Sequence, residues 1–152
     1  MLNDKLKLTG EVKLVLRDKA GNIKDTREVK NLVVRSGLAF IISRMAGTSK
    51  GVMSHMALGS SSTAASPEQS DLVSMLGSRE ALDSTTITGT YNEKIQYVAT
   101  FEAGDATGAV VEAGVFNASV GGDMLCRTVF SVVNKAADDT LAITWTITLS
   151  AV

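Results

Sequence analysis

The 152-residue sequence is poor in the residues that most often carry chemistry, with one cysteine, Cys126, and one histidine, His55. A single cysteine excludes an intrachain disulfide, and the two together exclude a zinc site built from several Cys or His ligands. Proline also occurs once, as Pro67, and the aromatics are one tryptophan, two tyrosines and four phenylalanines. Any core must therefore be assembled mainly from Val, Leu, Ile, Ala and Met. Excess charge of one sign is missing as well: 15 Lys plus Arg stand against 16 Asp plus Glu. That balance gives no electrostatic reason to expect nucleic acid as a partner. The longest apolar run, Leu38 to Ile42, falls far short of the roughly 20 residues a helix needs to cross a bilayer, so a membrane is not an expected partner either. Met1-Leu2-Asn3-Asp4-Lys5 lacks the basic-then-apolar order of a secretory leader, and the expectation is a cytosol-like site of synthesis.

What is present is a chain that is 45% hydrophobic and 20% charged, enough for one domain over residues 1–152 with a core of its own. Leu6, Leu8, Val12, Leu14 and Leu16 fall on even positions between mostly polar neighbours, the period of a half-buried strand. Asp18-Lys19-Ala20-Gly21-Asn22 then supplies turn residues, and a return strand from Ile23 to about Val34 completes an expected hairpin over residues 5–34. Leu38, Ile41, Ile42 and Met45 change the period to that of a helix at about residues 36–46, with Ser36 as its N-cap. This short amphipathic helix is expected to lay that stripe across a sheet.

Val52 to Leu58 reads as a strand, Gly59 to Pro67 as a solvated surface connector with a contact site as the alternative, and Glu68 to Leu76 as a helical turn. Strand signals then recur from residue 79 onward. Ile95, Tyr97, Ala99 and Phe101 alternate; Gly104 to Gly108, Val120 to Asp123 and Lys135 to Asp139 are turns. In the last segment Leu141, Ile143, Trp145, Ile147, Leu149 and Ala151 share one face, opposite Thr140, Ala142, Thr144, Thr146, Thr148 and Ser150. The fold class expected is mainly β, an antiparallel β-sandwich or barrel with one short helix.

The reactive groups do not add up to an active site. Cys126 alternates with Met124 and Thr128 in a strand and reads as a buried thiol; His55 is the one imidazole that could serve it as a base. Glu102 and Glu112 flank the Gly104 to Gly108 turn and are the one candidate carboxylate pair of the glycosidase kind. Glu112 lies among apolar residues, however, where it is expected to bind backbone amides or a base such as Arg127. Asp123, Asp138 and Asp139 sit in turns without the Gly-spaced acidic loop of a calcium site. Gly47-Thr48-Ser49-Lys50-Gly51 lacks the order of a phosphate loop, and Asn117-Ala118-Ser119 is a sequon without a secretory context. No catalytic, cofactor-binding or metal-binding residue is assigned, and no cofactor is expected.

The order of the segments carries more. Asn31-Leu32-Val33-Val34 with Gly37 before a short helix, and Met56-Ala57-Leu58-Gly59-Ser60 before a Ser/Thr/Ala loop and Asp71-Leu72, form the first half of a series. Glu112-Ala113-Gly114-Val115-Phe116-Asn117, Met124-Leu125-Cys126-Arg127-Thr128-Val129-Phe130, Lys135 and Asp139-Thr140-Leu141-Ala142-Ile143-Thr144-Trp145-Thr146-Ile147 form the second. From about residue 29 onward this series resembles small structural proteins of tailed bacteriophage virions, in which the strand with Glu112 looks like an E-x-G-[LV]-F segment. The resemblance implies a non-enzymatic protein of the tail, collar or fibre-attachment region, or a capsid-decoration protein, made in the bacterial host cytoplasm and resident in the virion. It implies further copies of the chain and other virion proteins as partners. The hairpin of residues 5–34 is then a candidate inter-subunit arm, against its reading as an ordinary edge hairpin. The competing classes are a carbohydrate- or receptor-binding sandwich, for which Tyr91 and Tyr97 are the available aromatic platforms, and a small hydrolase using Glu102 with Glu112 or Cys126 with His55.

Overall fold

A computed structural model describes residues 5–151; Met1 to Asp4 and Val152, and with them the two ends of the expected domain, lie outside the described residues. Two five-stranded antiparallel sheets face each other, and the expected sandwich is what forms. The strands are β1 (Leu6–Arg17), β2 (Ile23–Lys30), β3 (Leu32–Val33), β4 (His55–Gly59), β5 (Met75–Ala81), β6 (Ser84–Thr88), β7 (Lys94–Phe101), β8 (Gly108–Phe116), β9 (Met124–Lys135) and β10 (Thr140–Ala151). The helix α1 (Arg35–Met45) follows β3. Sheet A runs β2-β1-β10-β7-β6 and sheet B runs β3-β9-β8-β4-β5.

The period-two residues decide which face of sheet A turns inward. Val12, Leu14 and Leu16 of β1 stand opposite Trp145, Ile143 and Leu141 of β10, and these in turn stand opposite Tyr97, Ala99 and Phe101 of β7. All nine are buried in the main core with Met56, Leu58, Val115, Cys126 and Val133 from sheet B. The register read for the last strand therefore holds from Leu141 to Ile147. Leu149 and Ala151, at its end, are exposed.

β1 is bonded on both sides, to β10 through twelve residue pairs from Leu6↔Ala151 to Arg17↔Thr140 and to β2. The hairpin is thus part of sheet A, and the outer side of β2 is the one edge it presents. The return strand does not continue to Val34 as expected. It breaks at Asn31 and resumes as β3 in the other sheet, paired with β9 at Leu32↔Arg127 and Val33↔Cys126. The cause is local: the Asn31 side chain sits over Gly10, where a Cβ would collide with it, and its Oδ1 accepts the Trp145 indole N–H at 2.9 Å. Thr128 also donates its hydroxyl to the Lys30 carbonyl at 2.7 Å, drawing the chain across to sheet B.

The helix forms where expected, but with another cap and another face down. Val34 is its N-cap, with no side-chain hydrogen bond, while Ser36 donates its hydroxyl to the Met124 carbonyl at 2.6 Å. The Arg35 N–H, left free by the helix, is taken by the Pro67 carbonyl at 2.9 Å. Gly37 lies against the Leu125 backbone, where any Cβ would clash. That close approach selects Gly37 and Phe40 as the buried residues, with Ile41 packed at the core's margin. Of the expected stripe only Ile41 packs; Leu38, Ile42 and Met45 stay exposed, one side of the helix away.

The segment from Glu68 to Leu76 is not helical. It contains a turn, a run without regular structure, and the start of β5 at Met75. The strand expected over Val52 to Leu58 begins three residues later, at His55.

Candidate functional site

Over β8 and the first half of β9, sheet B is covered on both faces, and its buried ion pair lies on the face away from the main core. There the loop of residues 60–74 folds back over the sheet. Leu72 from the loop joins Val34, Ala57, Phe116 and Met124 in a second, smaller apolar cluster. Gly114 on β8 makes room for it, since a Cβ at that position would come within 3.1 Å of Leu72 and of Phe116. Beside this cluster Arg127 on β9 and Glu112 on β8 form a fully buried ion pair.

The pair is saturated by the loop. Glu112 Oε2 accepts Arg127 Nε at 2.9 Å, Arg127 Nη2 at 2.6 Å and the Val73 N–H at 3.1 Å, and Oε1 accepts the Ser74 N–H at 2.7 Å. Arg127 Nη1 donates to the Thr63 carbonyl at 2.9 Å and to Gln69 Oε1 at 3.1 Å. Gln69 in turn accepts the Ser66 N–H and donates to the Ala64 carbonyl. Two charges removed from water demand this degree of satisfaction. The expectation that Glu112 binds amides and Arg127 is met on both counts. The loop from Gly59 to Pro67 is correspondingly a bonded cover and not a free connector.

The other candidates are not brought together. β7 and β8 lie in different sheets, so the Gly104 to Gly108 segment crosses the sandwich and makes no hairpin. Glu102 is exposed at one end, while Glu112 is enclosed under the loop and stands opposite Val129. Cys126 points into the main core, paired with Val115, and burial pushes its thiol well above the ordinary value. His55 stands opposite Phe116, which belongs to the cluster on the far face, and its Nδ1 lies 2.8 Å from Ser54 Oγ. A sheet separates imidazole from thiol, and the thiol's raised pKa opposes nucleophile formation.

The acidic turn residues serve local structure. Asp139 accepts Lys24 Nζ at 2.7 Å and the Ala136 N–H at 2.8 Å, which hold its carboxyl below the ordinary range. Asp123 pairs with Lys50 at 3.0 Å and takes the Asn117 side chain. Asp138 is exposed. At the same end as Asp139, Lys135 donates to the Glu102 carbonyl at 2.8 Å; burial lowers its pKa against the opposing pull of Asp105, Asp139 and Glu102. Glu80 is raised, first by burial and then by Asp105, Asp83 and Glu102. Among the described residues no three His, Cys, Asp or Glu side chains gather as metal ligands.

Two concavities among the described residues bear on binding. One, of about 450 Å³, lies on the outer face of sheet A between the cross-strand pairs Glu11↔Lys30 and Lys13↔Glu28 and the threonines Thr144 and Thr146. The other, of about 270 Å³, is mostly apolar and opens between α1 and the β6–β7 edge; Phe40, Val52, Met53, Thr85, Ile95 and Tyr97 line it, with Arg44 beside them. Tyr97 is buried, its phenol pushed up to about 12 by desolvation and the neighbouring Cys126, and Tyr91 is exposed in the β6–β7 turn. Neither tyrosine lines the polar groove on sheet A.

Two arginines matter that the sequence reading passes over. Arg79 lies 3.6 Å above the Phe116 ring and donates to the Ala118 and Gly121 carbonyls, fixing the β8–β9 turn. Arg27 reaches from β2 to the Ser131 and Val132 carbonyls on the open side of β9. Neither has a local sequence signal, because each acts on a strand far along the chain. No family model matches the chain, and no curated protein or solved structure is detectably similar to it.

Proposed function

We propose that the chain is a non-enzymatic structural protein of a tailed-bacteriophage virion, which associates with copies of itself and docks on other virion proteins at the tail, collar or fibre-attachment region. The observation that carries the reading is the use made of the charged residues in the phage-like series. Glu112 and Arg127 are fully occupied in tying a loop to a sheet, so the most distinctive polar pair of the chain acts as framework. A building block of a particle needs rigidity and surfaces, and repeated weak contacts in a symmetric assembly hold firmly together. Mass spectrometry and electron microscopy of purified particles test the reading. The chain is expected at a fixed copy number and a fixed site; its absence from particles, with only monomer in light scattering at micromolar concentration, overturns it.

A carbohydrate- or receptor-binding role is the second reading, favoured by the polar groove on the outer face of sheet A. It predicts hits on a glycan array that Thr144→Val or Thr146→Val abolishes. Capsid decoration is separated from a tail position by the same micrographs.

A further inference from the structure

The four edge strands of the sandwich are guarded unequally. β2 carries Lys24, Asp25, Arg27, Glu28 and Lys30, and its Arg27 caps carbonyls of β9. β3 is two residues long and leads directly into the helix. β5 is interrupted by Gly77 at φ 64° beside a register shift, and it bears Arg79 and Glu80. Short length, charge and bulges are the usual means of keeping an edge from pairing. β6, Ser84-Thr85-Thr86-Ile87-Thr88, has no charge, no proline and no bulge; four of its five residues are β-branched, and no described strand pairs with its outer side.

We propose that the outer edge of β6 is an interface between two copies of this chain, their β6 strands antiparallel about a two-fold axis through Thr86. The inference rests on the self-association proposed above and adds its location and register. Side chains alternate between faces, so a symmetric pair keeps both inner faces together only when paired residue numbers sum to an even value. The centre at Thr86 is the one such choice that pairs all five residues: Ser84 with Thr88, Thr85 with Ile87, and Thr86 with its own copy. Asp83 then falls opposite Gly89, so the strand ends bring no like charges face to face.

The inner face supplies the complementarity. Ile87 belongs to the core-facing side of sheet A, opposite Ile95, yet it is 65% exposed because nothing covers it. Its neighbour Thr85 lines the apolar pocket of about 270 Å³ with Phe40, Val52, Met53 and Tyr97. Directly opposed residues bring their Cβ atoms to about 5 Å, so each Ile87 arrives beside the Thr85 of the other copy, at the mouth of that pocket. The same contact is made twice, as a two-fold interface requires.

Cysteine cross-linking of the full chain tests the register. Under mild oxidation Thr86→Cys is expected to give a disulfide-linked dimer, because that position alone faces itself. Ser84→Cys is not, since its two copies lie roughly 13 Å apart along the strands, beyond disulfide reach. Sedimentation velocity tests the energetics: Ile87→Lys is expected to weaken the dimer about tenfold or more, and Ile23→Lys, an exposed apolar site elsewhere, to leave it unchanged. If the wild-type chain associates but Ile87→Lys does not weaken it and Thr86→Cys does not link, the edge is the wrong surface and self-association stands. If the wild-type chain stays monomeric and Thr86→Cys does not link, both readings fall.

Discussion

Sheet A and sheet B solve the same packing problem in different ways. Sheet A buries one face and leaves the other to water, so β1 and β10 alternate strictly along most of their length. Around β8 and the first half of β9, sheet B is covered on both faces, by the main core and by the loop of residues 60–74, and β8 is buried at every position from Glu112 to Phe116. An ion pair can persist in sheet B only because the loop supplies carbonyls and amides that water would otherwise provide. The comparison shows that the stability of sheet A is apolar and periodic, whereas that of sheet B depends on a polar network reaching far along the chain.

The largest expected effect breaks sheet A. Trp145→Ala removes a ring with no exposed surface and leaves Asn31 without its donor, and is expected to cost about 3 to 5 kcal/mol in denaturant unfolding. Near-wild-type stability would mean that the face assigned to the core is wrong. In sheet B, Arg127→Met strands the Glu112 carboxylate and is expected to cost about 3 kcal/mol, with faster proteolysis in the loop of residues 60–74. The double variant Arg127→Met with Glu112→Leu sharpens the contrast, since removing both charges is expected to recover most of that loss. A double variant as unstable as the single one would show that the loop's hydrogen bonds matter more than the stranded charge.

Arg27→Ala tests the join between the sheets. It frees the Ser131 and Val132 carbonyls and is expected to cost about 1 kcal/mol, read in the same unfolding experiment. The smallest effects are titrations with opposite signs. Asp139, held below its ordinary 3.8, stabilises the fold above that pH, and the contribution is lost as pH falls through the folded value; Asp139→Asn should flatten that acid limb. Glu80, held above its ordinary 4.5, stabilises the fold below that pH and loses its contribution as pH rises through the folded value; Glu80→Gln should remove that decline. Thermal melts across pH 2 to 7, read at roughly one-unit steps, distinguish the two limbs.

These contrasts also explain what was legible in the sequence. The period of two in β1, β7 and β10 reports a face in water, so these strands, the sandwich-or-barrel class and the burial of Trp145 could be read directly, whereas the pairing of β10 between β1 and β7 could not, because no local residue marks a partner so far along the chain. β8 gave its apolar character and the partner of Glu112, but nothing local marks Val73, Ser74, Thr63 or Gln69 as the groups completing that site. The helix stripe misled because periodicity reports where apolar residues lie and not which of them packs. Gly37, by permitting contact with the Leu125 backbone, decided that. The Glu102 and Glu112 pairing failed for a topological reason: a turn rich in glycine looks the same whether the chain returns in one sheet or crosses to the other.

The pairing of β1 with β10 has a kinetic consequence. Leu6 to Arg17 meet Thr140 to Ala151 residue for residue, at separations that span nearly the whole described chain. During synthesis the β1–β2 and β6–β7 hairpins are both complete before β10, the strand that lies between β1 and β7, has been made. Sheet A therefore assembles in one late, non-local step, which places the protein among the slow folders, in the range of roughly milliseconds to seconds. Until that strand arrives, the inward faces of both hairpins are open to solvent and to other nascent copies.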